Sequence, residues 1–269
     1  MIISQRDILA YLSVMEKGNW DHIYERITKK ISATPSEIEK VVKKIPSKFV
    51  TILDEDYPSE LLNIYKPPFV LYYYGDITWA HMPLYRPIAV VGSRSCSEYG
   101  IEATKHIVKE IAGEYPIISG LALGIDAIAA ETAIECGGKT IAVIGSGLNI
   151  CYPQENKELY EKNKNTQILI SEYPHGVPSC PDNFPMRNRI IAGIADCVIV
   201  TEAGERSGTS ITVNFALQVG KNILCVPHPL FSNSACNRLI KEGAYLVENA
   251  EDVRDSLTPF SRKKYYYGR

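Results

Sequence analysis

Six short, continuous apolar runs separated by helix-length segments dominate the sequence from residue 88 onward. The runs lie at residues 88–91, 116–118, 141–144, 168–170, 198–200 and 223–226. A strand whose hydrophobicity is continuous rather than alternating is buried on both faces, which is typical of parallel sheets covered by helices. The sequence therefore predicts a doubly wound α/β fold with a mostly parallel sheet.

The first 47 residues have a different pattern, in which apolar residues recur at helical spacing. Breaks at Gly18-Asn19 and before Pro35 predict three short helices in a small bundle that ends near Pro46. Two further strands are predicted at 49–53 and 69–74. With 269 residues there is room for one large and one small domain. We predict a helical domain at 1–47, the α/β domain at 48–258 and a flexible basic and aromatic tail at 259–269.

Composition excludes several classes of protein. The chain has 29 Lys and Arg against 31 Asp and Glu, a net charge of −2, so it does not coat nucleic acid through bulk charge, although a local basic groove remains compatible. No apolar run approaches the roughly 18 residues of a membrane span, and the first residues do not resemble a signal peptide, which predicts a cytoplasmic protein without membrane contact. The cysteines and histidines have no metal-like spacing, so neither a metal nor a cofactor is expected.

Ligands of doubly wound sheets bind beyond the carboxyl ends of the strands, and two turns there are suited to anions. The turn Gly92-Ser93-Arg94 combines a glycine, which lets backbone approach a phosphate, with an arginine that matches phosphate oxygens. Residues 184–189 are predicted to open a helix capped by Asp182 or Asn183. Its two arginines stand at the positive end of the helix dipole, where an anionic ligand would be favourable.

A third turn follows the run at 198–200. Ser207 is interpreted as the cap of a helix that begins with Gly208 and Thr209, and Arg206 stands beside it. Each turn alone is compatible with a surface arginine or a structural cap. Three such turns at one sheet edge favour a polyanion that crosses several sites over one small phosphate. The G-x-G-x-x-G fingerprint is absent from 92–100 and incomplete after Gly145, which disfavours a dinucleotide enzyme.

The same residues form an ordered set of motifs that resembles the DprA/Smf family of DNA-processing proteins. The resemblance covers about residues 49–257. Its motifs are Gly92-Ser93-Arg94, residues 119–126, Tyr152-Pro153 with Asn156, residues 171–173, residues 184–193, Glu202-Ala203 with Ser207-Gly208, and residues 236–244.

The resemblance implies an extended Rossmann-like domain that binds and protects single-stranded DNA, forms a homodimer and helps load RecA recombinase during natural transformation. Phe184 would stack on a base, and Lys157 would contact a phosphate. The helical N-terminal region is similar to the sterile-alpha-motif-like domain of many members. The DNA-binding set expected from the turns and the resemblance together is Gly92, Ser93, Arg94, Lys157, Phe184, Arg187, Asn188, Arg189, Arg206, Ser207, Gly208 and Thr209.

The chain departs from the family pattern at several positions. Ala130 replaces a histidine, His228 replaces a glycine, and Pro181-Asp182 stands where a basic residue often precedes the Phe-Pro pair. An acid at that point would weaken a DNA groove. The winged-helix domain that some members carry after the Rossmann-like domain is not expected after Leu257.

The residues leave two other functions open. A nucleotide-processing enzyme similar to the phosphoribohydrolases would use Glu202, although the Pro-Gly-Gly-x-Gly-Thr pattern of those enzymes is not matched at 202–209. A pure scaffold that recruits RecA would not need Arg94 for DNA binding. The main expectation is a binding protein that is not an enzyme, because no nucleophile-base pair or metal cluster is evident.

Overall fold

The protein is described here by a computed structural model that covers residues 3–29, 33–81, 84–205, 207–232 and 234–257. The predicted DNA contact Arg206 and the predicted tail at 259–269 lie outside these described residues.

One sheet of nine strands runs through the described part of the chain. Its order is β1-β2-β6-β5-β4-β3-β7-β8-β9. The pairs β1-β2 and β2-β6 are antiparallel, and all other neighbours are parallel. The strands are β1 Lys48–Thr51, β2 Val70–Tyr74, β3 Ile88–Val91, β4 Ile117–Ser119, β5 Thr140–Ile144, β6 Ile168–Ser171, β7 Cys197–Val200, β8 Asn222–Cys225 and β9 Tyr245–Leu246.

The predicted strands are all present. The six apolar runs form β3 to β8, and the two earlier strands form β1 and β2. The sequence did not indicate β9, because two residues are too few to establish a hydrophobic pattern. The doubly wound, mostly parallel α/β fold is thereby confirmed.

Ten α-helices occur in the described residues. They are α1 Gln5–Met15, α2 Trp20–Thr28, α3 Pro35–Val42, α4 Glu98–Ile111, α5 Ile125–Glu135, α6 Lys157–Thr166, α7 Asn183–Ile194, α8 Thr209–Gln218, α9 Cys236–Lys241 and α10 Ala250–Leu257. Short 3₁₀ helices lie at Ser59–Asn63, Ile77–Ala80 and Gln154–Asn156.

Helices cover both faces of the sheet, as the continuous apolar runs require. Along β3, Ile88 and Val90 belong to the core beneath α4 and α5, whereas Ala89 and Val91 belong to the core beneath α7 and α8. Alternate side chains of a strand point to opposite faces, so a strand that serves two cores must be apolar throughout.

The first three helices form the predicted small bundle and rest on the antiparallel end of the sheet. Tyr11, Leu12, Ile23 and Ile38 form its core. The bundle is joined to the sheet by a buried hydrogen bond between Tyr72 Oη and Ser13 Oγ, 3.0 Å long.

The strand order reverses at β3, and this reversal positions the site. The chain builds the sheet from β3 through β4, β5 and β6 in one direction and then returns to place β7 on the other side of β3. The loops that follow β3 and β7 therefore diverge to opposite faces and leave a crevice between them, the usual ligand site of such sheets.

Candidate functional site

A cleft of about 660 Å³ lies at this reversal point and collects most of the predicted site. The loop after β3, the start of α7 and the start of α8 form its walls. Nine predicted residues line it, namely Gly92, Ser93, Arg94, Phe184, Arg187, Asn188, Ser207, Gly208 and Thr209.

The loop after β3 is held between two neighbouring elements. Ser93 N donates to Glu202 O at 2.7 Å, and Ser93 O accepts from Ile125 N at 3.1 Å. A Cβ at position 92 would stand 2.5 Å from Glu202 O and 2.6 Å from Ile125 Cγ1, so this close approach requires glycine. Arg94, the next residue but one, is exposed at the cleft.

Arg187 provides the buried cation of the cleft. Its side chain lines the cleft although the residue is only 4% exposed. Nη1 donates to Gly120 O at 2.6 Å and also to Val143 O, while Nε donates to Asn188 Oδ1 at 3.0 Å. Burial lowers the pKa of the Arg187 guanidinium to about 10. Asp126 also lines the cleft, and its charge opposes the effect of burial on the pKa of Arg187, but in the described residues the two side chains form no salt bridge, so an anion in the cleft would add counter-charge beside the guanidinium.

Asp126 is the charged group with the largest effect on the pKa of Arg187. Gly124 occupies the N-cap position of α5, and the Asp126 carboxylate accepts from Gly120 N at 2.9 Å. Burial raises the pKa of Asp126, and the charge of Arg187 acts in the opposite direction. Asp126 therefore supports the loop after β4, on which the Arg187 side chain rests.

A row of one cation and two aromatic rings borders the cleft. Arg94 Cζ lies 5.6 Å from the centroid of the Phe184 ring. The centroids of the Tyr152 and Phe184 rings are 5.4 Å apart, and the two ring planes are tilted by 31°. Tyr152 is 49% exposed and lines the cleft. The sequence does not identify Tyr152 as a site residue, although it belongs to the Tyr152-Pro153 motif, because its loop follows β5 and only the fold brings it beside α7.

The helices that open at the cleft do not begin as predicted. Asp182 occupies the N-cap position of α7, but its helical backbone, with φ −69° and ψ −23°, leaves its side chain without a capping bond. Asn183 Nδ2 donates instead to Gly145 O at 2.9 Å. Gly208, not Ser207, is the N-cap of α8. Ser207 lines the cleft, and its Oγ is buried without a hydrogen-bond partner in the described structure, so its hydrogen-bonding capacity is unused there.

Arg189 is not part of the cleft, and the expectation that it contacts phosphate is corrected. Its side chain is 0% exposed, and Nη2 donates to Glu172 Oε1 at 2.7 Å. Its other nitrogens donate to the backbone carbonyls of Tyr65, Lys66 and Met186. Residues two apart on a helix are rotated by about 200°, so Arg187 faces the cleft while Arg189 faces the core.

Two predicted contacts remain, Lys157 and Arg206. Lys157 is exposed at the start of α6 but does not line the cleft. Its neighbour Asn156 holds the loop after β4, because Nδ2 donates to Leu121 O at 2.9 Å and to Ala122 O at 3.2 Å. Arg206 lies outside the described residues.

The carboxylate of Glu202 stabilises the start of α4. Its carboxylate accepts from Ser97 N at 3.1 Å and from Ser97 Oγ at 2.6 Å, at the start of α4. A Cβ at position 100 would stand 2.2 Å from Glu202 Oε2, so the first turn of α4 presses against the carboxylate. These contacts disfavour Glu202 as a catalytic acid or base.

The described ranges also bear on metal binding and on membrane insertion. No group of three or more His, Cys, Asp or Glu side chains is arranged to hold a metal ion there. The same ranges contain no helix with the length and apolar character needed to cross a bilayer.

The sequence of this chain is similar to those of one protein family. The family model of DNA recombination-mediator protein A matches residues 48–258. DNA processing protein DprA of Streptococcus pneumoniae is 41% identical over 220 residues, which are 81% of this chain and 76% of that protein. The corresponding protein of Bacillus subtilis is 37% identical over 241 residues, covering 85% of this chain and 80% of the relative.

Solved structures show the same similarity. The X-ray structure of DNA processing protein A from Streptococcus pneumoniae matches with a TM-score of 0.80 and 32% identity over 97% of this chain and 100% of that one. A structure concerned with the single-stranded DNA binding mode of DNA processing protein A from Helicobacter pylori matches with a TM-score of 0.70 and 26% identity, over 79% of this chain and 96% of that one.

Proposed function

Because this chain belongs to the DNA recombination-mediator protein A family, we propose that its cleft binds single-stranded DNA. The observation that carries the proposal is the combination, in one cleft, of the buried Arg187, which forms no salt bridge within the described residues, with the row formed by Arg94, Phe184 and Tyr152. Cations match the phosphates of a nucleic acid, and aromatic rings that line a cleft match unstacked bases. Duplex DNA offers the phosphates but not the bases.

The two halves of the cleft have different roles in this proposal. Arg187 and Ser207, whose hydroxyl has no hydrogen-bond partner among the described residues, hold backbone phosphates within the cleft. Phe184 and Tyr152 stack on bases. Arg94 serves both halves of the cleft, because its guanidinium lies over the Phe184 ring and the residue is also exposed to phosphate. Stacking is tolerant of sequence, because every base has a π-face, so binding is expected to show little sequence preference.

The wider role is proposed from the family. A recombination mediator that is not an enzyme would protect the single strand, act as a homodimer and help load RecA recombinase during natural transformation. Relatives named as DNA processing proteins, one of them studied for its single-stranded DNA binding mode, support this assignment.

Fluorescence anisotropy of a labelled single-stranded oligonucleotide tests the cleft. We expect Arg94→Ala and Arg187→Ala each to weaken binding about tenfold or more, because each removes a cation that meets phosphate. Lys44→Ala removes an exposed cation of the small bundle and serves as the matched control, with affinity unchanged. A duplex of the same length should bind more weakly than the single strand.

A salt series completes the experiment. Each neutralised phosphate should contribute about −0.7 to the slope of log affinity against log salt, so the slope should become shallower in both arginine variants. Affinity that is flat in salt, or indifferent to both arginines, would contradict the proposal. In that case release of free base from a nucleoside monophosphate, compared in the wild type and Glu202→Gln, would test the enzymatic alternative.

A further inference from the structure

A second concavity of about 380 Å³ lies between α4 and the segments that follow β8 and β9. We call it the α4 groove. Its apolar lining includes the buried residues Ile107, Val226 and Val247, and two exposed carboxylates, Glu102 and Glu248, also line it. It shares no lining residue with the DNA cleft. An apolar floor with acidic groups at the edge fits an apolar or aromatic side chain flanked by cations.

The acidic character of the groove extends along the neighbouring helices. Helices α4 and α10 lie side by side, because Ala250 N donates to Glu110 Oε2 at 2.8 Å and Arg254 pairs with Glu114. Together with Glu114 and Glu248 these helices carry eight acidic residues and three basic ones, apart from His106. The acids are Glu98, Glu102, Glu110, Glu114, Glu248, Glu251, Asp252 and Asp255, and the bases are Lys105, Lys109 and Arg254.

The sequence contains one segment with the complementary chemistry. Residues 258–269 read Thr-Pro-Phe-Ser-Arg-Lys-Lys-Tyr-Tyr-Tyr-Gly-Arg, with four cations, four aromatic residues and no acid. They lie outside the described residues, and neither the fold nor the DNA cleft accounts for their composition.

The segment begins within reach of the groove. The described chain ends at Leu257, one turn beyond Arg254, which pairs with Glu114 just past the end of α4. The α4 groove lies toward the other end of that helix, beside Tyr99 and Glu102. A helix of 14 residues such as α4 is about 21 Å long, and 12 extended residues span about 40 Å.

We propose that residues 258–269 bind back onto the acidic face of α4 and α10 of the same chain and insert an aromatic side chain into the α4 groove. The four cations then meet Glu102, Glu248 and the acids along both helices. These cations are consequently held away from the DNA cleft and take no part in its salt dependence.

Hydrogen exchange measured by mass spectrometry tests the docking in the full chain. The wild type is compared with a variant that stops after Leu257. We expect the amides of residues 98–110 and 245–249 to exchange more slowly in the full chain, because the docked segment stabilises the walls of the groove. Identical exchange in the two proteins, or protection that grows with protein concentration, would overturn docking within one chain.

A labelled synthetic peptide of residues 258–269, added to the shortened variant, tests the chemistry of the contact. Charge reversal by Glu102→Lys or Glu248→Lys should weaken peptide binding about fivefold each, since an attraction becomes a repulsion. Glu135→Lys, an exposed reversal on α5, should leave it unchanged. Equal binding by all variants, or a shallower salt slope for single-stranded DNA in the shortened variant, would overturn the proposal; the latter would assign the segment to DNA instead.

Discussion

At the scale of the residue, the cleft depends on an arginine that rests directly on a glycine. The Arg187 guanidinium occupies the space that a side chain at position 120 would need, because a Cβ there would stand 2.3 Å from Cζ. The same guanidinium donates to the Gly120 carbonyl. The glycine thereby determines where the buried cation lies, although Gly120 itself carries no ligand group.

Gly120→Ala is expected to weaken single-stranded DNA binding about tenfold without removing any charge. The added methyl displaces the guanidinium, and overpacking should also lower the free energy of unfolding by about 1–3 kcal/mol. Gly113→Ala is the matched control, because a Cβ there meets nothing within 4 Å. Anisotropy and urea unfolding of both variants make the comparison. Wild-type affinity in Gly120→Ala would show that the position of Arg187 does not matter.

A second prediction at this scale concerns His175. Its Nε2 lies 3.0 Å from Tyr74 Oη, its Nδ1 is buried without a partner in the described structure, and burial, with a smaller effect of Lys164, lowers the pKa of the imidazole below 6.5. As pH falls through about 6.5 the unfolded chain takes up a proton that the native imidazole resists, so native stability decreases. Urea unfolding at about pH 7.5 and pH 5.5 should show a smaller loss for His175→Gln than for wild type; equal losses would contradict this account.

At the scale of the element, helices near the cleft start differently from those in the bundle. Side chains of Ser4, Asn19, Thr34 and Ser97 cap α1 to α4. Helices α5, α7 and α8, which open at the cleft, have no side-chain cap, and neither have α6 and α9. An uncapped start keeps the positive end of the helix dipole available to an anion.

The cap of α4 yields a prediction about stability. Ser97 Oγ accepts from Gly100 N at 3.2 Å and donates to Glu202 Oε2 at 2.6 Å. Ser97→Ala should lower the free energy of unfolding by about 1–2 kcal/mol, because it removes the cap and one partner of the carboxylate. Ser95→Ala, at an exposed position two residues earlier, should change it by less than about 0.5 kcal/mol. Equal unfolding midpoints for the two variants would contradict the role of the cap.

At the scale of the whole molecule, the buried pair of Arg189 and Glu172 joins distant parts of the chain. Glu172 follows β6, Arg189 lies in α7, and the arginine also binds the carbonyls of Tyr65 and Lys66 ahead of β2. One guanidinium thus connects the antiparallel end of the sheet to the helix that carries Arg187.

Arg189→Met is expected to lower the free energy of unfolding by about 3–5 kcal/mol, because the Glu172 carboxylate would remain buried without its partner. Under conditions in which the variant stays folded, its affinity for single-stranded DNA should remain close to wild type. The double variant Arg189→Met, Glu172→Leu should recover part of the lost stability. A stable Arg189→Met protein that no longer binds DNA would instead support a phosphate contact by Arg189, in contradiction to its buried position.

Local patterns were sufficient for the architecture. Continuity of the runs from Ile88 onward reports burial on both faces, and helical spacing before Pro46 reports one buried stripe, since both are properties of a few neighbouring residues. The anion-suited turns at Gly92-Ser93-Arg94 and around Arg187 were evident for the same reason. Their meeting at one edge followed from the general rule for parallel sheets, so the cleft itself was predictable.

The sequence by itself therefore determined the sheet, the bundle, the family resemblance and most of the cleft residues, because these depend on local periodicity and on motifs. Only the tertiary structure decided that Arg187 faces the cleft and Arg189 the core, that Ser207 Oγ is buried with no hydrogen-bond partner among the described residues, and that Tyr152 stands beside Phe184. The contact between Arg187 and Gly120 joins residues 67 positions apart. Local patterns do not encode such contacts, because they arise only when packing of separate elements sets the rotation of each helix.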